Sequence, residues 1–201
     1  MNFEKTTTNN PNKQRILPLW IETWLITSAI ICLLDVGFTM LRPHTTTGGS
    51  LATVYYGWNI YADVDKRYAD PHDQVTTATG RVMLIEIVMD FVVFFMARRQ
   101  SRHTVLTAFT TSCFVFWKTV LYLVLFIAPP QGISHFSEEA SSLRIFWVFW
   151  VMNGIWVIMP FMVMMSLWSQ LIQPKNFAST YELCESEIAE PEKIIIPENS
   201  H

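Results

Sequence analysis

The stretch Thr76–Arg99, TTATGRVMLIEIVMDFVVFFMARR, constrains the fold more than any other part of this chain. It is about as long as a membrane-spanning helix and mostly apolar, yet Arg81, Glu86 and Asp90 sit inside it. A charge in hydrocarbon costs at least ~2.5–3.5 kcal/mol on insertion scales, so such a residue faces protein or water and marks a site. Glu86 and Asp90 are four residues apart and share one face of a helix, with Thr79 two turns below Glu86 on that face. The expectation is that other helices cover this polar stripe and form a pocket with it.

The rest of the chain supports a membrane setting. Of the 201 residues, 51% are hydrophobic and 15% charged, and the apolar residues come in long blocks, which argues against a soluble protein. The length suits one domain. The run Arg98-Arg99-Gln100-Ser101-Arg102 is the longest basic cluster and reads as a turn, so nucleic acid is not an expected partner. Cys32, Cys113 and Cys184 are scattered, two of them within apolar blocks, a pattern that points to neither disulfides nor a metal site. There is no Gly-rich phosphate loop, metal-ligand cluster or nucleophile elbow, so no cofactor is expected.

In chain order, residues 1–17 read as a disordered polar tail without the form of a cleavable signal peptide, so the first apolar block serves as helix and targeting signal. The domain spans 18–172 and is expected to be all-α, a polytopic membrane four-helix bundle. Its helices run about Pro18–Leu41, Thr76–Ala97, Thr104–Ala128 and Ile145–Ile172. Trp20 and Trp24 suit an aromatic belt, Glu22 can reach the interface, and Pro160 is a kink candidate. Residues 42–75 read as a loop, and 173–201 as a polar, disordered tail. Lys5, Lys13, Arg15, Arg98, Arg99, Arg102 and Lys175 fall on one side, which places both termini in the cytoplasm.

At ~1.5 Å of rise per residue, Glu86 lies ~18 Å and Lys118 ~21 Å from the cytoplasmic end, with Asp35 and Arg81 both at ~25 Å and Asn153 and Trp156 in a similar layer. Two pairs of opposite charge are therefore expected: Glu86 with Lys118, and Asp35 with Arg81. One reading makes these structural ion pairs that fix helix packing. The other makes them the lining of a polar site, in which a carboxyl held neutral by apolar surroundings can protonate an alkene or epoxide. Phe146, Trp147, Phe149, Trp150 and Trp156 in the last helix are either packing and lipid-facing residues or, for Trp156 above all, a ring face that stabilises a cation.

Trp58, Tyr61-Ala62, Asp65 and Arg67-Tyr68 in the loop, Val120-Leu121-Tyr122, and the segment from Met152-Asn153-Gly154 through Trp156 to Pro160 together resemble the emopamil-binding protein superfamily, whose shared region is the EXPERA domain. The resemblance covers about Leu19–Ile172. It implies a helical membrane protein of the endoplasmic reticulum that works as an isomerase or cyclase on a terpenoid, meroterpenoid or sterol-like lipid by proton-initiated carbocation chemistry. The same family also implies, as alternatives, a sterol Δ8-Δ7 isomerase or a non-catalytic lipid-binding protein. Where the sterol isomerases carry His-x-x-x-Glu, this chain has Cys32 and Val36, with Asp35 the nearest acid; the next glutamate position is Thr79, and the third-helix acid position is Thr119. The expected catalytic residues are therefore Glu86 and Asp35. Thr79, Arg81, Asp90, Lys118, Asn153, Trp156, Tyr61, Asp65 and Tyr68 are the expected substrate-binding residues. The expected partners are a lipophilic small molecule, the bilayer and a second copy of the chain in a homodimer.

Overall fold

The computed structural model describes residues 15–172, apart from 128, 131 and 132. Most of the tails read from the sequence, 1–14 and 173–201, lie outside the described residues. Among the described residues all regular structure is helical: α1 Leu19–Met40, α2 Tyr56–Ala62, α3 Lys66–Ala69, α4 Gln74–Arg98, α5 Thr104–Ile127 and α6 Ser142–Ile172. The four long helices match the four apolar blocks of the sequence. Three of them, α1, α5 and α6, are long and apolar enough to cross a membrane. The fourth, α4, has 25 residues and carries the charged stripe.

The loop expectation for 42–75 is corrected in part, because α2 and α3 form within it. Asp65 starts α3, its carboxylate accepting the backbone N–H of Arg67 (3.0 Å) and Tyr68 (3.4 Å). Asp73 starts α4 by accepting the Thr76 N–H at 2.7 Å and also meets Arg67 at 3.1 Å. Arg42 holds the segment against the end of α1. Its guanidinium donates to the carbonyls of Tyr68 (2.9 Å) and Asp70 (2.8 Å) and to the Thr76 hydroxyl (3.1 Å). Residues 133–141 cross over this segment, with Lys66 N–H on the His135 carbonyl (2.9 Å) and Ser137 N–H on the Val64 carbonyl (3.0 Å).

α1 lies on α4, α4 on α5, and α5 on α6. Three apolar clusters run along the interior. Near the chain start, Leu17, Ile21 and Leu25 meet Val93, Ala97, Ala108, Val163 and Leu167, one or more from each long helix. In the middle, Ala29, Cys32 and Val36 meet Met83 and Ile87. At the far end the core is aromatic: Phe149 has no exposed surface and its ring lies 4.3 Å from that of Phe126 and 4.9 Å from that of Phe136. Glu22 does not stay at a solvent interface: it is buried, within ion-pair distance of Arg98 (3.4 Å) and Arg15 (3.7 Å). That contact places the start of α1 and the end of α4 at the same end. Trp24 likewise turns inward, its ring edge-on to Trp156 at 5.6 Å, whereas Trp20 is exposed.

α6 continues through Pro160, and its irregularity lies elsewhere. Phe146–Val151 is wound as a π-helix, a local widening common beside functional sites. The amide of Asn153, one turn on, donates to the Phe149 carbonyl at 2.8 Å and to the Tyr61 hydroxyl at 2.9 Å.

Candidate functional site

Between the long helices and the α2–α3 segment lies a cavity of about 440 Å³. That is within the range of small-molecule sites, roughly 300–1,000 Å³. α1 contributes Ile31, Cys32 and Asp35; α2 Gly57, Trp58 and Tyr61; α3 Tyr68. α4 adds Thr76, Thr79 and Met83, α5 Lys118, Thr119 and Tyr122, and α6 Met152, Asn153 and Trp156. The wall is thus mainly aromatic and aliphatic, with Asp35 and Lys118 as its two charged side chains.

Asp35 is fixed from the loop segment and not from α4. Its Oδ1 accepts the Trp58 indole N–H at 2.8 Å and the Tyr68 hydroxyl. Tyr68 is held for this task by its ring, which stacks on Phe38 at 5.7 Å with an interplanar angle of 11°, and by Tyr61, edge-on at 4.9 Å. Burial and the charge of Asp35 hold the Tyr68 hydroxyl well above its ordinary value, so it stays a donor. Among the described residues, no side chain or backbone group donates to Asp35 Oδ2, and Asp35 is half-buried at the cavity wall.

The expected Asp35–Arg81 pair does not form. Arg81 is exposed, lines neither the cavity nor the polar stripe, and has no ion-pair partner among the described residues. The reason is angular: at ~100° per residue, position 81 is turned ~140° from position 86, so matched depth does not bring it inward. The expected Glu86–Lys118 pair does form, as a direct ion pair. Glu86, however, has no exposed surface and does not line the cavity. It lies behind Lys118 and Cys32, with the Cys32 thiol donating to its Oε1 at 3.3 Å. Asp90, one turn further, is buried with Oδ2 unpartnered among the described residues, and it too stands back from the cavity.

Tyr61, Tyr68, Thr79, Lys118, Asn153 and Trp156 are all at the wall. Asp65 is not: it is fully buried beneath the wall, capping α3 and accepting the Tyr122 hydroxyl at 2.5 Å. Burial pushes its carboxyl up to about 6, against the opposing pull of the Tyr122 hydroxyl and the two backbone N–H groups. Burial and the nearby Asp65 charge also hold the Tyr61 hydroxyl well above its ordinary value. Sequence reasoning missed Cys32, Met83 and Tyr122 as lining residues and Arg42 as the clamp. Cys32 had a signal, since it sits three residues before Asp35 and so shares its face.

Chemically, this arrangement can hold an apolar molecule, present one carboxyl and one ammonium to it, and line it with aromatic side chains. No protein-family model matches the chain, and no curated protein sequence matches it.

Proposed function

We propose that this protein is a membrane-embedded isomerase or cyclase of the emopamil-binding protein type, acting on a terpenoid, meroterpenoid or sterol-like lipid through a carbocation. In this reading α4 makes a fourth crossing beside α1, α5 and α6, its charged stripe covered by α1 and α5. Both termini are cytoplasmic, with Arg15, Arg98, Arg99 and Arg102 on that side, in the endoplasmic reticulum membrane.

The observation that carries the proposal is Asp35: a carboxyl oriented through one oxygen by Trp58 and Tyr68, with the other oxygen left at an apolar cavity. Such chemistry requires one proton to enter the substrate and one to leave. Protonation of an alkene carbon forms a C–H bond and leaves a cation on the neighbouring carbon; loss of a proton from an adjacent carbon restores a double bond. Asp35 is the carboxyl positioned to exchange a proton with the substrate. Trp58, Trp156 and Tyr61 at the wall supply aromatic rings to stabilise the cation, and the mainly apolar lining limits the water that would capture it. Glu86 acts through Lys118 and Cys32 as a positioning residue.

The test is turnover of prenylated and epoxidised terpenoids by membranes containing the protein. Asp35→Asn should lose about 10²-fold or more in product formation, while Glu86→Gln should lose less. Full turnover by Asp35→Asn sinks the catalytic assignment. A second reading, a non-catalytic lipid-binding protein, is favoured by the enclosure of Glu86 away from the cavity. It predicts saturable binding of these lipids with no product from any of them. Rescue of a sterol-isomerase-deficient strain would instead assign the sterol Δ8-Δ7 reaction.

A further inference from the structure

Asp90 is left out of the pairing that balances its neighbour. It lies one turn from Glu86 on the same face of α4, with 2% of its surface exposed and Oδ2 without a partner among the described residues. Glu86, Lys118 and Cys32 are the titratable groups that face it from α4, α5 and α1. Lys118 pairs with Glu86 and is not within ion-pair distance of Asp90. The charges of that pair cancel, so the carboxylate of Asp90 leaves one negative charge uncompensated in the interior. A buried carboxylate on its own is costly enough that a positive charge accompanies it.

The same layer of the bundle carries buried hydroxyls. α1 and α4 run antiparallel and Cys32 meets Glu86, so one turn back on α1 Ser28 falls level with Asp90. α5 also runs antiparallel to α4 and Lys118 meets Glu86, so Thr111 and Ser112 fall within about one turn of that level. Ser28, Thr111 and Ser112 are 2%, 1% and 3% exposed. Thr111 donates its proton to the Thr107 carbonyl at 2.9 Å, which leaves its oxygen as an acceptor. Leu25, Val93 and Ala108 seal the layer on the side of the chain start.

We infer that α1, α4 and α5 hold a sodium ion between the Asp90 carboxylate and the hydroxyls of Ser28, Thr111 and Ser112, and that this ion fastens the three helices behind the cavity wall. Every ligand in the set is an oxygen, which selects a hard cation over the soft metals that favour thiolate and thioether. The set carries one negative charge, so a monovalent ion balances it and a divalent ion reverses it. One carboxylate and three hydroxyls form a small shell, suited to sodium in place of the larger potassium. None of the four residues lines the cavity, so the site stands apart from the lipid reading above.

The experiment uses the purified full chain in nanodiscs of zwitterionic lipid. Thermal unfolding is followed by tryptophan emission in sodium, potassium or choline chloride at one ionic strength and about pH 8. Sodium should raise the unfolding temperature saturably, by at least ~3 °C over choline, and potassium by much less. At about pH 6 half-saturation should need more sodium, because protons compete for the Asp90 carboxylate. Asp90→Asn should unfold at the same temperature in sodium and in choline. Ser112→Ala keeps the charge and removes one ligand, so it should keep the response and need about 5-fold more sodium for half of it; it decides the matter if Asp90→Asn does not fold. Equal unfolding temperatures of wild type in sodium and choline, an equal response to potassium, or a sodium response that survives in Asp90→Asn overturns the site. A half-point unchanged in Ser112→Ala overturns the hydroxyl shell. Stability that follows pH without any dependence on sodium gives the positive charge at Asp90 to a bound proton and overturns the inference as well.

Discussion

Replacing Lys118 with methionine isolates what holds α4 to α5. Glu86 has no exposed surface, and its partners are the Lys118 ammonium and the Cys32 thiol at 3.3 Å. A thiol is a weak donor, so Lys118→Met leaves a carboxylate almost unpaired in a buried position. Removing one partner of such a pair costs about 3–5 kcal/mol. Replacing both partners by apolar side chains of similar size is often neutral, so Lys118→Met with Glu86→Leu should lie within about 1–2 kcal/mol of wild type. The two substitutions should therefore couple by about 2–4 kcal/mol in a double-mutant cycle. Unfolding in mixed micelles of rising sodium dodecyl sulfate content, followed by tryptophan emission, gives the four stabilities. If the double variant is as unstable as Lys118→Met, or the coupling falls below about 1 kcal/mol, the pair does not hold these helices together and the energetic reasoning fails.

Three further outcomes follow from the loop segment and the aromatic core. Phe149→Ala, at a ring with no exposed surface between Phe126 and Phe136, should cost about 3–5 kcal/mol in the same unfolding measurement, and a loss under 1 kcal/mol would mean the aromatic cluster does not anchor this end. Arg42→Lys cannot reproduce a fork whose Nε donates to the Thr39 carbonyl, Nη1 to the Tyr68 and Asp70 carbonyls and Nη2 to the Thr77 hydroxyl, so it should cost about 1.5–3 kcal/mol and speed amide hydrogen exchange across residues 67–77; unchanged exchange there would remove the clamp. Asp65 carries a carboxyl raised from 3.8 to about 6 by burial, so the folded chain holds its proton more tightly than the unfolded chain does. Its contribution is favourable below pH ~4 and is lost as pH rises from ~4 to ~6, by up to about 3 kcal/mol. The stability difference between wild type and Asp65→Asn should shift against wild type across that interval, and a difference independent of pH would contradict the raised carboxyl.

The long helices were legible because each is a block of apolar residues of spanning length, a signal that survives ignorance of every contact. Glu86 with Lys118 was legible for a narrower reason. Both helices run between the same two ends, and both residues sit on inward faces, so a depth estimate sufficed. The same estimate failed for Asp35 and Arg81 because depth carries no azimuth. Counting ~100° per residue from the Glu86–Asp90 stripe turns Arg81 outward on helical geometry alone.

The partners of Asp35 were beyond such counting. They come from α2 and α3, seven and four residues long, too short for a periodic pattern to show. The placement of α3 depends on Arg42, whose acceptors are mostly backbone carbonyls and so leave no mark on residue types. Tyr68 reaches Asp35 because its ring is stacked on Phe38, three residues beyond Asp35 on α1. Thus α1 supplies both the carboxyl and the platform that orients its donor. A segment that reads as a polar loop therefore lines the cavity and sets the geometry of its carboxyl. The charged stripe on α4 that first pointed to a site acts from behind the wall: Glu86 reaches the cavity through Lys118, and any ligand meets the ammonium before the acid.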